Sequence, residues 1–263
     1  MADTVEAGGV VLRVEGAGAG VPVVLVHGTA TDRSLWSETV AALGGGVRTI
    51  AYDRRGYGDS EAPEPYGGTT VGEQADDLAE LIARVGSPPA VVCGHHLGAL
   101  ICLDALVRHP RLVRAAVLVE IPMLWLSPHG PDVVSATREA VEQAARDGGA
   151  GAAVEAFLED AGGSDAAAVL GERRMEAARG AARAFAADLA AAASWPGGRR
   201  ELRAVRTPVT LVSSACSAPI FAEVASAVAT LVPGASHETF ECGHFVPLEA
   251  PRELAAAIGA AAQ

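Results

Sequence analysis

The sequence of 263 residues predicts an α/β fold: one domain with a mostly parallel sheet, helices on both faces of the sheet, and a helical insertion. Short runs rich in β-branched residues alternate along the chain with longer segments of helical pattern, as in sheets built from strand–helix–strand units. Several of the short runs are continuously apolar, for example Val23–Val26, as expected for strands buried on both faces. One long segment breaks the alternation and carries no strand pattern.

The alternation assigns the elements in order. Apolar and β-branched runs predict strands at Val10–Val14, Val23–Val26, Arg48–Tyr52, Ala90–Cys93, Ala115–Glu120, Val209–Val212 and Glu238–Phe240. Helical patterns predict helices at Ser34–Leu43, Val71–Val85, Leu97–Arg108, Ile220–Leu231 and Pro251–Ala262. Asp32 or Ser34 can cap the first of these helices, and Pro110 follows the end of the third.

The segment from 131 to 203 contains only Ala-rich helical stretches separated by pairs of glycines. It lies between the predicted strand that ends at Glu120 and the one that begins at Val209. We therefore expect residues 1–130 and 204–263 to form the α/β core. Residues 131–203 are expected to form a helical lid over the carboxyl edge of the sheet.

Composition and charge narrow the classes of partner. Half of the residues are hydrophobic, so disorder is not expected. The formal net charge is −12, and all 20 basic residues are Arg. This negative charge argues against binding to nucleic acid or to an anionic membrane, because both need basic patches. The amino terminus resembles no signal peptide, and the four cysteines have no metal-binding spacing. We expect a cytoplasmic protein that acts on a small molecule without metal or cofactor, and the sequence is compatible with a homodimer.

The segment Val91–Ala99 carries the main chemical signal. A buried strand runs into a Gly-x-x-x-Gly turn between Gly94 and Gly98 and then directly into a helix. This is the pattern of a nucleophile elbow, in which glycines relieve crowding around one strained residue at the start of a helix. The central residue of this elbow is His96.

Three further motifs, in order along the chain, carry a resemblance to a known family. Val26-His27-Gly28 resembles a strand end and oxyanion-hole turn, and Asp53–Ser60 resembles a D-x-R-G-x-G-x-S turn. Gly243–Pro251 resembles the segment that holds a catalytic histidine. Together with the elbow they make the chain similar, over nearly its whole length, to the α/β-hydrolase superfamily. The resemblance implies an α/β-hydrolase fold with a helical lid.

The resemblance also implies site residues, and here the chain departs from the family. The elbow of the family commonly reads Gly-His-Ser-x-Gly, so His95 fills the usual position before the nucleophile and His96 replaces the serine. His244 matches the catalytic histidine. The loop 213–219, where many members place the orienting acid, has no carboxylate, whereas a minority place it one strand earlier, at the position of Glu120. Glu241 is a weaker candidate for the same role.

The expected oxyanion donors are the backbone N–H groups of Thr29 and Leu97, which do not depend on the missing serine. Trp125, shortly after Glu120, is a candidate for lining a pocket under the lid. His27 is expected to hold its own turn. The Asp53–Arg55 cluster is expected to serve mainly as scaffold.

Two imidazoles beside an oxyanion hole are suited to proton transfer. We therefore expect His96 and His244 to act as an acid–base pair in elimination, isomerisation or cyclisation of a small carbonyl compound. Two alternatives remain open: hydrolysis of an ester, lactone or related bond by a His-activated water or a nucleophilic His, and ligand binding by a non-catalytic relative of the hydrolases.

Overall fold

A computed structural model describes residues 4–85, 88–193 and 195–263 of the chain. Its centre is an eight-stranded sheet in the order β1-β2-β4-β3-β5-β6-β7-β8. Only the β1–β2 and β2–β4 pairs of this sheet are antiparallel, and the five other pairs are parallel. The strands are β1 Thr4–Ala7, β2 Val10–Gly18, β3 Gly20–Val26, β4 Gly46–Tyr52, β5 Ala90–His95, β6 Val113–Val119, β7 Val209–Ser214 and β8 Ser236–Phe240.

Helices follow most of the parallel strands. They are α1 Ser37–Ala42, α2 Val71–Val85, α3 Leu97–Arg108, α4 Gly130–Gly162, α5 Ala166–Gly180, α6 Ala182–Ala193, α7 Arg199–Ala204, α8 Pro219–Leu231, α9 Val246–Glu249 and α10 Pro251–Ala261. Short 3-10 turns form at Arg33–Trp36 and Leu124–Leu126.

The apolar residues of the central strands pack alternately into two hydrophobic cores, one on each face of the sheet. In β3, Val24 and Val26 pack into a core with residues of α2, α3 and α8, whereas Val23 and Leu25 pack into a second core with residues of α10 and the insertion. Side chains alternate between the faces of a strand, so a strand covered on both faces needs a continuous apolar run. The predicted mostly parallel sheet with helices on both faces is confirmed.

The structure corrects several element boundaries. β1 has no predicted counterpart, because this edge strand is short and largely exposed and carries no apolar run. The predicted helix Ser34–Leu43 is a 3-10 turn followed by α1, and Asp32 caps the turn by accepting a hydrogen bond from Ser34 N–H at 2.8 Å. β6 ends at Val119, so Glu120 follows the strand and has a positive φ of 51°.

The described residues of 131–203 form helices joined by short connections, with no strand: nearly all of α4 and α7 and the whole of α5 and α6 fall within this segment, and Ser194 lies outside the described residues. Two glycines at positive φ, Gly149 in α4 and Gly171 in α5, interrupt the helical backbone. The division into core and lid stays a prediction. Among the helices of residues 4–85, 88–193 and 195–263, none is both long and apolar enough to cross a bilayer.

Candidate active site

The elbow has the strained geometry that its sequence predicts. His96 joins β5 to α3 with φ 50° and ψ −121°, a conformation that costs about 1–3 kcal/mol for a residue other than glycine. A Cβ on Gly94 would lie 2.3 Å from the carbonyl oxygen of Gly98, and a Cβ on Gly98 would lie 2.1 Å from that of Val26. Both glycines are therefore required for the close backbone approach that presents His96.

His96 is half-buried among aromatic rings. Its ring centroid lies 5.5 Å from that of His244, 5.8 Å from Phe157 of α4 and 6.0 Å from Phe221 of α8. Its Nδ1 is buried and has no hydrogen-bond partner among the described residues. The two imidazoles are therefore neighbours, as the resemblance implies.

Burial holds the pKa of His96 well below its ordinary value of 6.5, and the neighbouring His244 lowers it further. Burial is the leading cause, because removing the ring from water disfavours its charged form. His96 is neutral near pH 7, but a low pKa also makes it a weak base.

His244 is held by Glu120 through a buried hydrogen bond. The Nδ1–H of His244 donates to Oε2 of Glu120 at 3.0 Å, and Oε1 of Glu120 accepts from Ser214 N–H at 2.8 Å. Glu120 is fully buried and His244 is nearly so. The predicted contact between Glu120 and His244 is present, and it leaves Nε2 of His244 as the ring atom available for proton transfer.

His95 supports the same histidine from the other side. Its Nε2–H donates to the backbone carbonyl of His244 at 2.9 Å, and the two rings lie 4.9 Å apart. Burial lowers the pKa of His95 to about 3, with a further contribution from His244, so the ring is neutral. The residue before the elbow position therefore fixes the loop that carries His244.

The two expected oxyanion donors lie on segments that pack against each other. A Cβ on Gly28 would lie 3.0 Å from both Nδ1 of His95 and Cβ of His96, so the turn before Thr29 touches the elbow directly. Neither Thr29 N–H nor Leu97 N–H donates in the turns, loops and caps of the described chain. Ala30 has a positive φ of 58°, which places local strain beside Thr29.

The other sequence candidates occupy different surroundings. Trp125 is 45% exposed, and its ring packs against Trp195 at 5.9 Å rather than against either histidine, so a pocket-lining role there has no support from its ring contacts. Glu241 is exposed, which leaves Glu120 as the carboxylate on His244. His27 holds its turn: its Nδ1–H donates to Gly28 O, and its Nε2 accepts from Arg54 N–H, each at 2.9 Å.

Sequence reasoning missed the aromatic residues around His96. Phe157 lies in the insertion and Phe221 near the start of α8, far apart in sequence, and nothing in the local pattern distinguishes them from ordinary core residues. It also missed that Asp188, the one carboxylate in the Ala-rich helix α6, is fully buried and paired with Arg54. A lone acidic residue on an apolar helix was an available signal for such a pair.

A cleft of about 1080 Å³ opens beside the insertion. Its lining includes residues of β2, β4, the segment 32–37 and α5, but neither His96 nor His244. The ring of Phe157 packs against His96, and the ring of Phe221 packs against both histidines. The described residues contain no group of three or more His, Cys, Asp or Glu side chains placed to bind a metal ion.

The chain is similar to known hydrolases in sequence. The chain is 29% identical over 263 aligned positions to a 2-(acetamidomethylene)succinate hydrolase from Mesorhizobium japonicum, covering 94% of this chain and 92% of that protein. It is 37% identical to epoxide hydrolase A of Mycobacterium tuberculosis over 123 positions, which cover 46% of this chain and 38% of that enzyme.

Solved structures share the fold across almost the whole chain. A thermophilic esterase from Thermogutta terrifontis superposes with a TM-score of 0.78 at 24% identity, covering 98% of this chain and 95% of that one. An enol-lactonase from Burkholderia xenovorans LB400 superposes with a TM-score of 0.75 at 21% identity, covering 98% of both chains. The model of the Alpha/beta hydrolase family matches residues 23–257, and the chain belongs to this family.

Proposed function

We propose that the chain is a cofactor-free hydrolase of a carboxylic ester, a lactone or a related acyl bond, with water as the attacking group. The observation that carries the proposal is the buried Glu120–His244 pair, whose free imidazole nitrogen lies beside a histidine at the elbow. The named relatives support hydrolysis over the other chemistries that two histidines can perform.

Proton transfer at His244 would drive the reaction. Its Nε2 removes a proton from water as the water attacks the carbonyl carbon, and the Glu120 carboxylate stabilises the imidazolium that forms. The N–H groups of Thr29 and Leu97 stabilise the negative charge that develops on the carbonyl oxygen. His244 then returns the proton to the leaving oxygen, so that acid and alcohol are released and the enzyme is regenerated.

His96 would assist as a neutral hydrogen-bonding group rather than as a covalent nucleophile. A desolvated imidazole with a lowered pKa is a weak nucleophile, and acyl-imidazoles hydrolyse readily. The ring is placed to orient the water or the leaving group and to exchange a proton with it. Phe157 and Phe221 must rotate or shift to admit a substrate, since their rings now pack against His96.

Hydrolysis of p-nitrophenyl acetate tests the proposal. We expect turnover without a burst of nitrophenol, since no acyl-enzyme accumulates, and loss of turnover in His244→Ala. His96→Ala should be slower by about 10²–10⁴-fold, the usual contribution of a positioned proton-transfer group. A burst, together with an acetyl group trapped on His96 by rapid acid quench and mass spectrometry, would replace this mechanism with nucleophilic catalysis.

The same pair also supports a second candidate, elimination, isomerisation or cyclisation through an enolate. The facing imidazoles, 5.5 Å apart between centroids, favour it because one can remove an α-proton while the other donates a proton. The probe is acetophenone in D₂O, in which catalysed deuterium exchange at the methyl group is expected only for this chemistry. A chain active in neither assay would favour the remaining alternative, ligand binding by a non-catalytic relative of the hydrolases.

A further inference from the structure

Arg54 and Asp188 form a buried ion pair directly behind the expected oxyanion hole. Two hydrogen bonds join them: Nη2 donates to Oδ2 at 2.7 Å and Nη1 donates to Oδ1 at 3.1 Å. Arg54 is 1% exposed and Asp188 is fully buried, so both charges are removed from water. Desolvating such a pair costs several kcal/mol per ion, and the pair is therefore weak evidence for a role in stability alone.

The remaining donors of Arg54 hold the backbone of the oxyanion turn. Nε donates to the carbonyl of His27 at 2.9 Å, and Nη2 also donates to the carbonyl of Gly28 at 2.8 Å. The second N–H of Nη1 donates to Oε1 of Gln74 at 2.5 Å. All five N–H bonds of the guanidinium are thus used, and two of them point at consecutive carbonyls of one turn.

The Gly28 carbonyl belongs to the same peptide group as the Thr29 N–H. A trans peptide is planar, and its C=O and N–H point in opposite directions. Fixing the Gly28 oxygen against Arg54 therefore also fixes the direction in which the Thr29 N–H points. A cationic donor on the carbonyl oxygen polarises the whole peptide group as well, which makes the N–H a stronger hydrogen-bond donor.

Asp188 also connects the insertion to Ala30, the residue after Thr29, through Tyr57. The hydroxyl of Tyr57 donates to Oδ2 of Asp188 at 2.7 Å and accepts from Ala30 N–H at 3.3 Å. Ala30, at positive φ, follows Thr29 directly. Asp188 lies on α6 of the insertion. Its carboxylate therefore acts on the residues before and after Thr29: on Gly28 through Arg54 and on Ala30 through Tyr57.

We propose that Arg54 and Asp188 are positioning residues that orient and polarise the Gly28–Thr29 peptide, so that the oxyanion hole is complete only while α6 is docked. The proposal rests on the proposed function for its kinetic consequence. Its structural consequence, a Thr29 turn held in place by Asp188, stands without that function.

A second buried pair provides a matched control. Arg55 follows Arg54 in the sequence and is joined to Asp77 by hydrogen bonds of 2.6 and 2.7 Å, and both residues are 2% exposed. Arg55 reaches the carbonyl of Gly8 rather than the oxyanion turn, and it keeps a second ion pair with Glu73. Asp188→Asn and Asp77→Asn therefore each remove one carboxylate charge from a buried arginine, and only the first is connected to Thr29.

The experiment compares these variants by hydrogen–deuterium exchange and by kinetics. We expect Asp188→Asn to speed exchange in the peptide covering residues 27–31 by about 10-fold through local opening, with no such change in Asp77→Asn. For p-nitrophenyl acetate, we expect kcat to fall about 10-fold with KM little changed. This is less than the ~10²–10³-fold cost of deleting an oxyanion donor, because the N–H is misdirected and not removed.

Tyr57→Phe provides a milder variant if Asp188→Asn fails to fold, since it removes only the hydroxyl between Asp188 and Ala30. It should speed exchange in the same peptide. Equal exchange of residues 27–31 in the parent, Asp188→Asn and Tyr57→Phe would overturn the proposal, as would an equal loss of kcat in Asp188→Asn and Asp77→Asn. An inactive parent would count against the proposed function only, since the exchange measurement needs no turnover.

Discussion

Lowering the pH should destabilise this protein through its buried neutral histidines. Burial lowers the pKa of His95 to about 3, and burial together with Arg54 holds the pKa of His27 well below 6.5. Burial, with a further contribution from His244, likewise holds the pKa of His96 well below 6.5. The unfolded chain takes up a proton at each of these sites as the pH falls through 6.5, and the folded chain does not. Their contribution to stability is therefore fully present above pH 6.5 and is lost progressively below it.

The size of the loss follows from proton linkage. Between pH 7.5 and 5.5, one histidine with an unfolded pKa near 6.5 that stays neutral in the fold costs about 1 kcal/mol, so the three together cost about 3–4 kcal/mol. Carboxylates contribute little in this window because their titration lies at lower pH. The measurement is the free energy of unfolding from urea titrations at each pH.

His95→Gln isolates one of the three sites. A Gln side chain can still donate to the His244 carbonyl, but it does not titrate. We expect the loss of stability between pH 7.5 and 5.5 to shrink by about 1 kcal/mol in this variant. A parent whose free energy of unfolding is unchanged over this range, or a variant with the same pH dependence as the parent, would refute the assignment of neutral buried rings.

Three further predictions concern the site. Glu120→Gln places an amide against His244 and disfavours its reactive tautomer. Turnover of p-nitrophenyl acetate should therefore fall by up to about 10⁴-fold, while the circular dichroism spectrum stays that of the parent. A near-parental rate would exclude the orienting role of Glu120. His96→Ser restores a family-like elbow and should give burst kinetics with an acetyl group on Ser at position 96; absence of that adduct would show that the elbow does not support acyl transfer. Phe157→Leu removes a ring from His96 and should lower the KM of longer p-nitrophenyl esters more than that of the acetate; equal KM changes would place the substrate elsewhere.

The site was only partly predictable from the sequence. The elbow could be identified because glycines at 94 and 98 are steric requirements, which show in the sequence whatever residue stands between them. Glu120 could be chosen because a carboxylate at the end of an apolar strand needs a buried partner, and His244 supplies it at 3.0 Å. Trp125 was chosen by its closeness in sequence to Glu120, which says little about where a side chain points, and its ring packs against Trp195.

The sequence by itself determined the fold class and pointed to the residues of the candidate site. Continuous apolar runs are needed wherever a strand is buried on both faces, so these runs marked the central sheet of this chain. Local steric rules likewise marked the elbow. Such features depend on residues close together in the chain.

Only the tertiary structure decided what surrounds His96. Phe157 and Phe221 lie 64 positions apart in the chain, on two different helices, and no local rule brings their rings to one imidazole. The same holds for Asp188, which meets Arg54 from 134 positions away. Burial, and with it the lowered pKa of His96, is a property of this assembled environment, because desolvation depends on every element that excludes water from the ring.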